Sequence, residues 1–250
     1  MDNQPAANSS TNQRELKEKL PHAWDSLLAR FGRFTEIQTL AIASLLDGNN
    51  CMLASATASG KTEAALAPLL ELYLQRRKSS KNLSILYLTP TRALARDLMR
   101  RLGPPLEKMS MRIQVKTGDE PALNPYRPPE LLLTTPESFD SLLTKTPRIF
   151  KDVRAVVIDE LHIFDNTPRG DQLRILLNRL RRLKRYALER GETHQADVQF
   201  CALSATISEP EAKAARYFTE PQVIKVPGQR PIDAELIELP DAERLSQLFA

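Results

Sequence analysis

The stretch from Cys51 to Thr62 constrains what this chain can fold into more than any other. Gly48-Asn49-Asn50 marks a turn, and the apolar residues Cys51-Met52-Leu53-Ala54 make a short buried strand. Small residues follow, Ser55-Ala56-Thr57-Ala58-Ser59, then Gly60-Lys61-Thr62, and Glu63 to Gln75 reads as helix. A strand that turns through small residues straight into a helix leaves backbone N–H groups converging on one spot. The helix N-terminus adds roughly half a positive charge there, which favours an anion. Lys61 adds a full charge.

That order of strand, loop and helix is the phosphate-binding P-loop arrangement of nucleoside triphosphatases. Read so, Lys61 reaches the β- and γ-phosphates of a nucleotide and the Thr62 hydroxyl holds Mg²⁺. The full pattern asks for glycine five residues before Gly60, where Ser55 stands. Alone, Gly60-Lys61-Thr62 fits an ordinary strand-to-helix turn equally well. The rest of the chain has to decide.

A chain of 250 residues with 42% hydrophobic and 26% charged residues reads as soluble and globular. No apolar run reaches the ~18 residues of a membrane span. Residues 1–13 are polar and lack the apolar core of a secretory signal, so a cytoplasmic protein without membrane contact is expected. Cys51 and Cys201 sit in apolar runs with no metal-ligand neighbour, which predicts buried, reduced thiols. A net charge of +4 is compatible with a nucleic-acid partner without demanding one.

In order along the chain, residues 1–12 read as a disordered polar tail, and 13–48 as N-terminal helices. Helical character starts at Arg14, breaks at Pro21, and places Trp24, Leu27, Leu28 and Phe31 on one face. A helix from Ile37 to Leu46 carries Gln38, whose amide can read an adenine edge or simply be exposed. Ile85–Leu88, Arg112–Val115, Leu131–Thr134, Val153–Ile158 and Val198–Leu203 read as strands, mostly apolar throughout as parallel sheets require. Between them come helices over 93–102, from Pro136, and over 171–190. The last has a core stripe of leucines, mostly flanked by Arg174, Arg179, Arg181, Arg182, Lys184 and Arg185, a basic face read as solvated ahead of nucleic-acid contact. Ser208 and Glu211 read as a capping box; Val223–Val226 and Ala234–Leu239 are late strands, and Asp241 caps a last helix. Strands alternating with helices predict an α/β fold, a mainly parallel sheet with helices on both faces.

Val153–Ile158 ends in Asp159-Glu160-Leu161-His162. Phosphoryl transfer to water needs a carboxylate for the metal and another to position the water, and an acidic pair at a strand end supplies both. Asp159 is assigned to Mg²⁺ through a water and Glu160 to the attacking water.

At this point the chain resembles the first RecA-like domain of superfamily 2 helicases. The resemblance rests on Thr35 to Gln38, Ser55 to Thr62, Pro90-Thr91-Arg92, Thr134-Thr135-Pro136-Glu137, Asp159-Glu160-Leu161-His162 and Ser204-Ala205-Thr206, in that order. It covers about residues 14–240, and the Asp-Glu-Leu-His form with Arg169-Gly170-Asp171 downstream is most similar to the Lhr-type and Ski-like branches. The resemblance implies a RecA-like P-loop domain over 49–226, with 227–250 leading towards a second RecA-like domain, downstream or in trans. It implies that Thr35 and Gln38 recognise adenine. Thr57, Ala58, Ser59, Gly60, Lys61 and Thr62 would bind the phosphates of ATP and Mg²⁺. Pro90, Thr91, Arg92, Thr135 and Pro136 would line a nucleic-acid track, with single-stranded DNA ahead of RNA as the strand. Ser204, Thr206 and His162 would couple hydrolysis to domain movement, acting with Lys61, Asp159 and Glu160. Ala58 stands where the family often has glycine, so the loop is expected to need no positive φ there. The implied function is that of the ATP-binding domain of an ATP-dependent helicase or translocase, incomplete in 250 residues. A nucleotide-dependent binding module without hydrolysis, and an RNA helicase domain, are the alternatives.

Overall fold

The computed structural model describes residues 13–76, 82–118, 120, 123–205 and 208–227. The expected polar tail, the strand at Ala234–Leu239, the helix capped by Asp241, Thr206 and nearly all of 227–250 lie outside them.

Among the described residues seven strands form one all-parallel sheet: β1 (Cys51–Ala54), β2 (Ile85–Leu88), β3 (Ile113–Lys116), β4 (Leu131–Thr134), β5 (Ala155–Ile158), β6 (Gln199–Ser204) and β7 (Gln222–Lys225). Their spatial order is β3-β4-β2-β5-β6-β1-β7. The helices are α1 (Glu36–Leu46), α2 (Lys61–Gln75), α3 (Arg92–Lys108), α4 (Pro136–Lys145), α5 (Leu161–Phe164), α6 (Pro168–Glu189) and α7 (Pro210–Ala215). Successive strand residues point to opposite faces, so an unbroken apolar strand feeds two cores. Cys51, Leu53, Ile85 and Tyr87 join the core beneath α1, α2 and α3. Met52, Leu86 and Leu88 join the one beneath α4, α5 and α6. β6 lies between β1 and β5 and pairs Cys51 with Cys201 in register. Both thiols are free and buried, and burial raises their pKa.

The structure corrects several local expectations. Trp24–Leu28 is a π-helix followed by a 3₁₀ turn, Ala29–Phe31. The change in residues per turn rotates Phe31 off the buried face, leaving it 44% exposed. α3 continues through Pro104 and Pro105 rather than ending at Leu102. At α7 the N-cap is Glu209, with no side-chain cap; Pro210 takes the first helical position, where its missing N–H is harmless. Glu71 on α2 is fully buried and accepts from the backbone N–H groups of His22 (2.9 Å) and Ala23 (3.0 Å). That carboxylate pins the N-terminal segment to the P-loop helix.

Lys184 does not flank the stripe of α6 but lies buried within it, its Nζ donating to the carbonyls of Lys151 and Val153. Burial lowers its pKa from 10.5 to about 8, Asp152 and Asp197 opposing and Arg154 adding to the shift. Below about pH 8 both folded and unfolded chains carry the proton, and the buried charge is a constant penalty. Between about 8 and 10.5 the unfolded chain holds more proton, so stability rises with pH across that window. Denaturant unfolding should show the wild type gaining stability relative to Lys184→Met from pH 8 to pH 10. A flat difference would contradict this account.

Gly170 opens α6 where no side chain fits. A Cβ there would lie 2.2 Å from the Phe164 carbonyl oxygen and 2.8 Å from the Tyr217 hydroxyl. Gly170→Ala should destabilise the domain by at least the ~1–3 kcal/mol typical of overpacking, read as a lowered urea midpoint. An unchanged midpoint would show that α5 and α6 shift freely against each other.

Candidate nucleotide site and nucleic-acid groove

All the expected nucleotide residues among those described gather at the C-terminal ends of β1, β5 and β6, where parallel sheets open their crevice. Leaving β1, the loop carries Ala58 at φ 59° and Gly60 at φ 90°. The expectation that position 58 needs no positive φ is therefore wrong. The turn requires the left-handed region even for alanine, at a cost of about 1–2 kcal/mol per residue, and such strain is characteristic of binding loops. Gly60 has a second requirement, since a Cβ would sit 2.5 Å from Gln38 Nε2.

Gln38 is 1% exposed, which overturns its reading as a solvated helix residue. Thr35 caps α1, and the Thr35 N–H donates to Gln38 Oε1 at 3.0 Å, closing a capping box. The Gln38 amide then donates to the Gly60 carbonyl (3.5 Å) and the Thr35 hydroxyl to the Ser59 carbonyl (3.1 Å). The pair thus clasps the end of the phosphate loop. Inside the loop, Ser55 and Ser59 hydroxyls bond at 2.6 Å, and Lys61 Nζ donates to the carbonyls of Ser55 (2.7 Å) and Ala56 (2.8 Å). Burial lowers the Lys61 pKa, while Glu160 and Asp159 pull it back up.

β5 delivers Asp159, buried, with burial raising its carboxyl to about 6 against the hydrogen bond from Tyr87. The Tyr87 hydroxyl donates to Asp159 Oδ2 at 2.9 Å and the Glu160 N–H to Oδ1 at 3.0 Å. Glu160 takes a left-handed backbone (φ 48°) as N-cap of α5. Its Oε2 is buried without a hydrogen bond, 3.3 Å from His162 Nδ1. His162 Nδ1 also lies 3.1 Å from the Ser204 hydroxyl at the end of β6, so the strand expected to couple hydrolysis to movement touches the acidic turn.

A groove of about 760 Å³ opens beside this site. Pro90, Thr91, Arg92 and Thr135, which the resemblance assigns to a nucleic-acid track, are among its walls, while Pro136 is buried as the first residue of α4. Thr91 caps α3 through its side chain and Thr135 stands at the N-cap position of α4 without a side-chain bond, so the N-termini of both helices border the groove, which suits backbone phosphates. Sequence reasoning missed Lys116, Thr117, Gly118, Lys145 and Arg169 on its walls. Arg169 donates to the Pro90 carbonyl (2.9 Å) and to Glu137 (2.7 Å), tying the first turn of α6 to the turn after β2 and to the first turn of α4. The turn signal at Thr117-Gly118 and the unusual Arg-Gly pair were the available hints.

Fold and site together define a RecA-like P-loop domain. The DEAD/DEAH box helicase model matches residues 35–214, and the chain belongs to that family. It is 34% identical over 175 residues to the ATP-dependent helicase Lhr-Core protein 2 of Thermococcus barophilus, covering 62% of this chain and 20% of that one. With the Lhr helicase/probable uracil glycosylase of Mycolicibacterium smegmatis the identity is 33% over 208 residues, covering 76% and 13%. The structure of Mycobacterium smegmatis helicase Lhr bound to ssDNA and AMP-PNP superposes with a TM-score of 0.68 at 30% identity, over 83% of this chain and 27% of that one. The chain thus spans a small part of each relative. Among the described residues no helix is long and apolar enough to cross a membrane.

Proposed function

We propose that this chain is the ATP-binding domain of an ATP-dependent helicase or translocase that moves on a nucleic-acid strand, single-stranded DNA ahead of RNA. The observation that carries the reading is the placing of Lys61 where the Asp159 and Glu160 carboxylates at the end of β5 act on it, with one carboxylate oxygen of Glu160 buried without a hydrogen bond and 3.3 Å from His162 Nδ1. A buried acceptor without a hydrogen bond is one that a ligand or water can satisfy. The strained loop and the self-bonded Lys61 fit a cradle whose lysine exchanges carbonyl partners for phosphate oxygens.

Thr62 and Asp159 suit a hard oxygen-seeking cation, so these are the residues that would hold Mg²⁺, Asp159 through a water. Bound there, Mg²⁺ would neutralise charge developing on the phosphates. The chain's own residues do the remainder. The Thr35–Gln38 clasp fixes the loop beside the adenine, Lys61 orients the phosphates, and Glu160 accepts the proton of the attacking water. His162, between Glu160 and Ser204, carries the change towards Thr206 and a second RecA-like domain. On the groove, Arg92 and the helix N-termini hold phosphates without reading sequence. The ssDNA in the Mycobacterium smegmatis structure supports DNA as the strand.

Fluorescence anisotropy of labelled single-stranded DNA across a salt series tests the groove. Binding should be weak and salt-sensitive, and Arg92→Ala should lower the slope of log affinity against log salt by about one. An unchanged slope would remove Arg92 from the track.

A further inference from the structure

The residues assigned to Mg²⁺ come from separate elements, Thr62 from the first turn of α2 and Asp159 from the end of β5. A side chain from a third element reaches Asp159. Tyr87 lies on β2, the neighbour of β5, and is fully buried on the sheet face that packs against α2. Its hydroxyl donates to Asp159 Oδ2 at 2.9 Å. A tyrosine hydroxyl has one proton to donate, and here that hydrogen bond is directed at the carboxylate. We propose that Tyr87 is a positioning residue for the cation site, holding the Asp159 carboxylate in a fixed orientation before Mg-nucleotide binds.

Three features support a role beyond packing. The hydroxyl donates to the carboxylate the metal would need and is buried among apolar strand residues, where an idle polar group would be penalised. Asp159 has each oxygen committed to one donor, Tyr87 at Oδ2 and the Glu160 N–H at Oδ1, so its plane is fixed from both sides. Groups that orient metal ligands in this way typically change metal affinity ~10–100-fold when removed.

The proposal rests on the nucleotide-site reading above, and the test separates the two. A fluorescent ATP analogue is titrated into wild type and Tyr87→Phe, with EDTA and across a Mg²⁺ series. Wild type should show a Mg²⁺-dependent gain in affinity; its absence there would sink the site reading itself. Tyr87→Phe should match wild type in EDTA, while its Mg²⁺ midpoint moves ~10-fold or more higher. In an Asp159→Asn background the same substitution should change little, because the carboxylate it orients is gone. A Mg²⁺ midpoint within about twofold of wild type would overturn the proposal. So would equal weakening with and without Mg²⁺, or loss of the folded state, since either makes the hydroxyl a general structural group.

Discussion

Lys61→Ala should abolish measurable binding of an ATP analogue, while Glu160→Gln should bind nearly as wild type and fail only in hydrolysis. Lys61 is the full positive charge of the cradle, already desolvated and bonded only to carbonyls of its own loop. Each charge-assisted hydrogen bond it would make to phosphate contributes about 1.5–3 kcal/mol, and two such bonds amount to a 10²-fold loss or more at about 1.4 kcal/mol per tenfold. Alanine also leaves the Ser55 and Ala56 carbonyls without their donor, so the loop loses its internal tie. Glu160→Gln keeps the shape of the side chain and its place beside His162, and removes only the carboxylate proposed to take a proton from water. General-base contributions are typically ~10²–10⁴-fold in rate. Titration of the fluorescent analogue into both variants, with phosphate release measured alongside, separates binding from chemistry. Equal loss of binding in the two would refute the division of roles.

The second large effect concerns turnover. A 250-residue polypeptide of this sequence should bind Mg-ATP weakly and release phosphate very slowly, with little stimulation by single-stranded DNA. The chain covers 20% of the Thermococcus barophilus relative, and in P-loop nucleoside triphosphatases an arginine finger can be supplied by another domain or in trans. Such a finger contributes ~10³–10⁵ in rate, roughly 4–7 kcal/mol of transition-state stabilisation. A nucleotide on one domain is also open to water on its far side, which weakens every electrostatic contact in the site. Phosphate release with and without DNA is the assay. Turnover within the ~1–10³ s⁻¹ range of ordinary enzymes, stimulated by DNA, would show that this domain needs no second one for catalysis.

The amino-acid sequence by itself determined the α/β class, the parallel sheet and the chemistry-bearing segments. The reason is local. A parallel strand buried on both faces must be apolar throughout, and Cys51–Ala54, Ile85–Leu88 and Leu131–Thr134 can be read as strands without knowing their neighbours. Phosphate binding demands small residues, a lysine and a helix start in immediate succession, so Ser55 to Thr62 was legible too. What only the tertiary structure decided are properties set by residues distant in sequence. Gln38 is buried because Gly60, 22 residues on, offers its carbonyl to the amide. Ala58 is left-handed because the turn between β1 and α2 needs it, whatever alanine prefers alone. Lys184 sits inside the core because the carbonyls of Lys151 and Val153, left by the end of another connection, receive its ammonium. Tyr87 looked like one more apolar strand residue until the fold set its hydroxyl against the Asp159 carboxylate. Periodicity reports which face a residue takes; it carries no information about the polar atom waiting there, because that atom comes from a segment brought close only by packing.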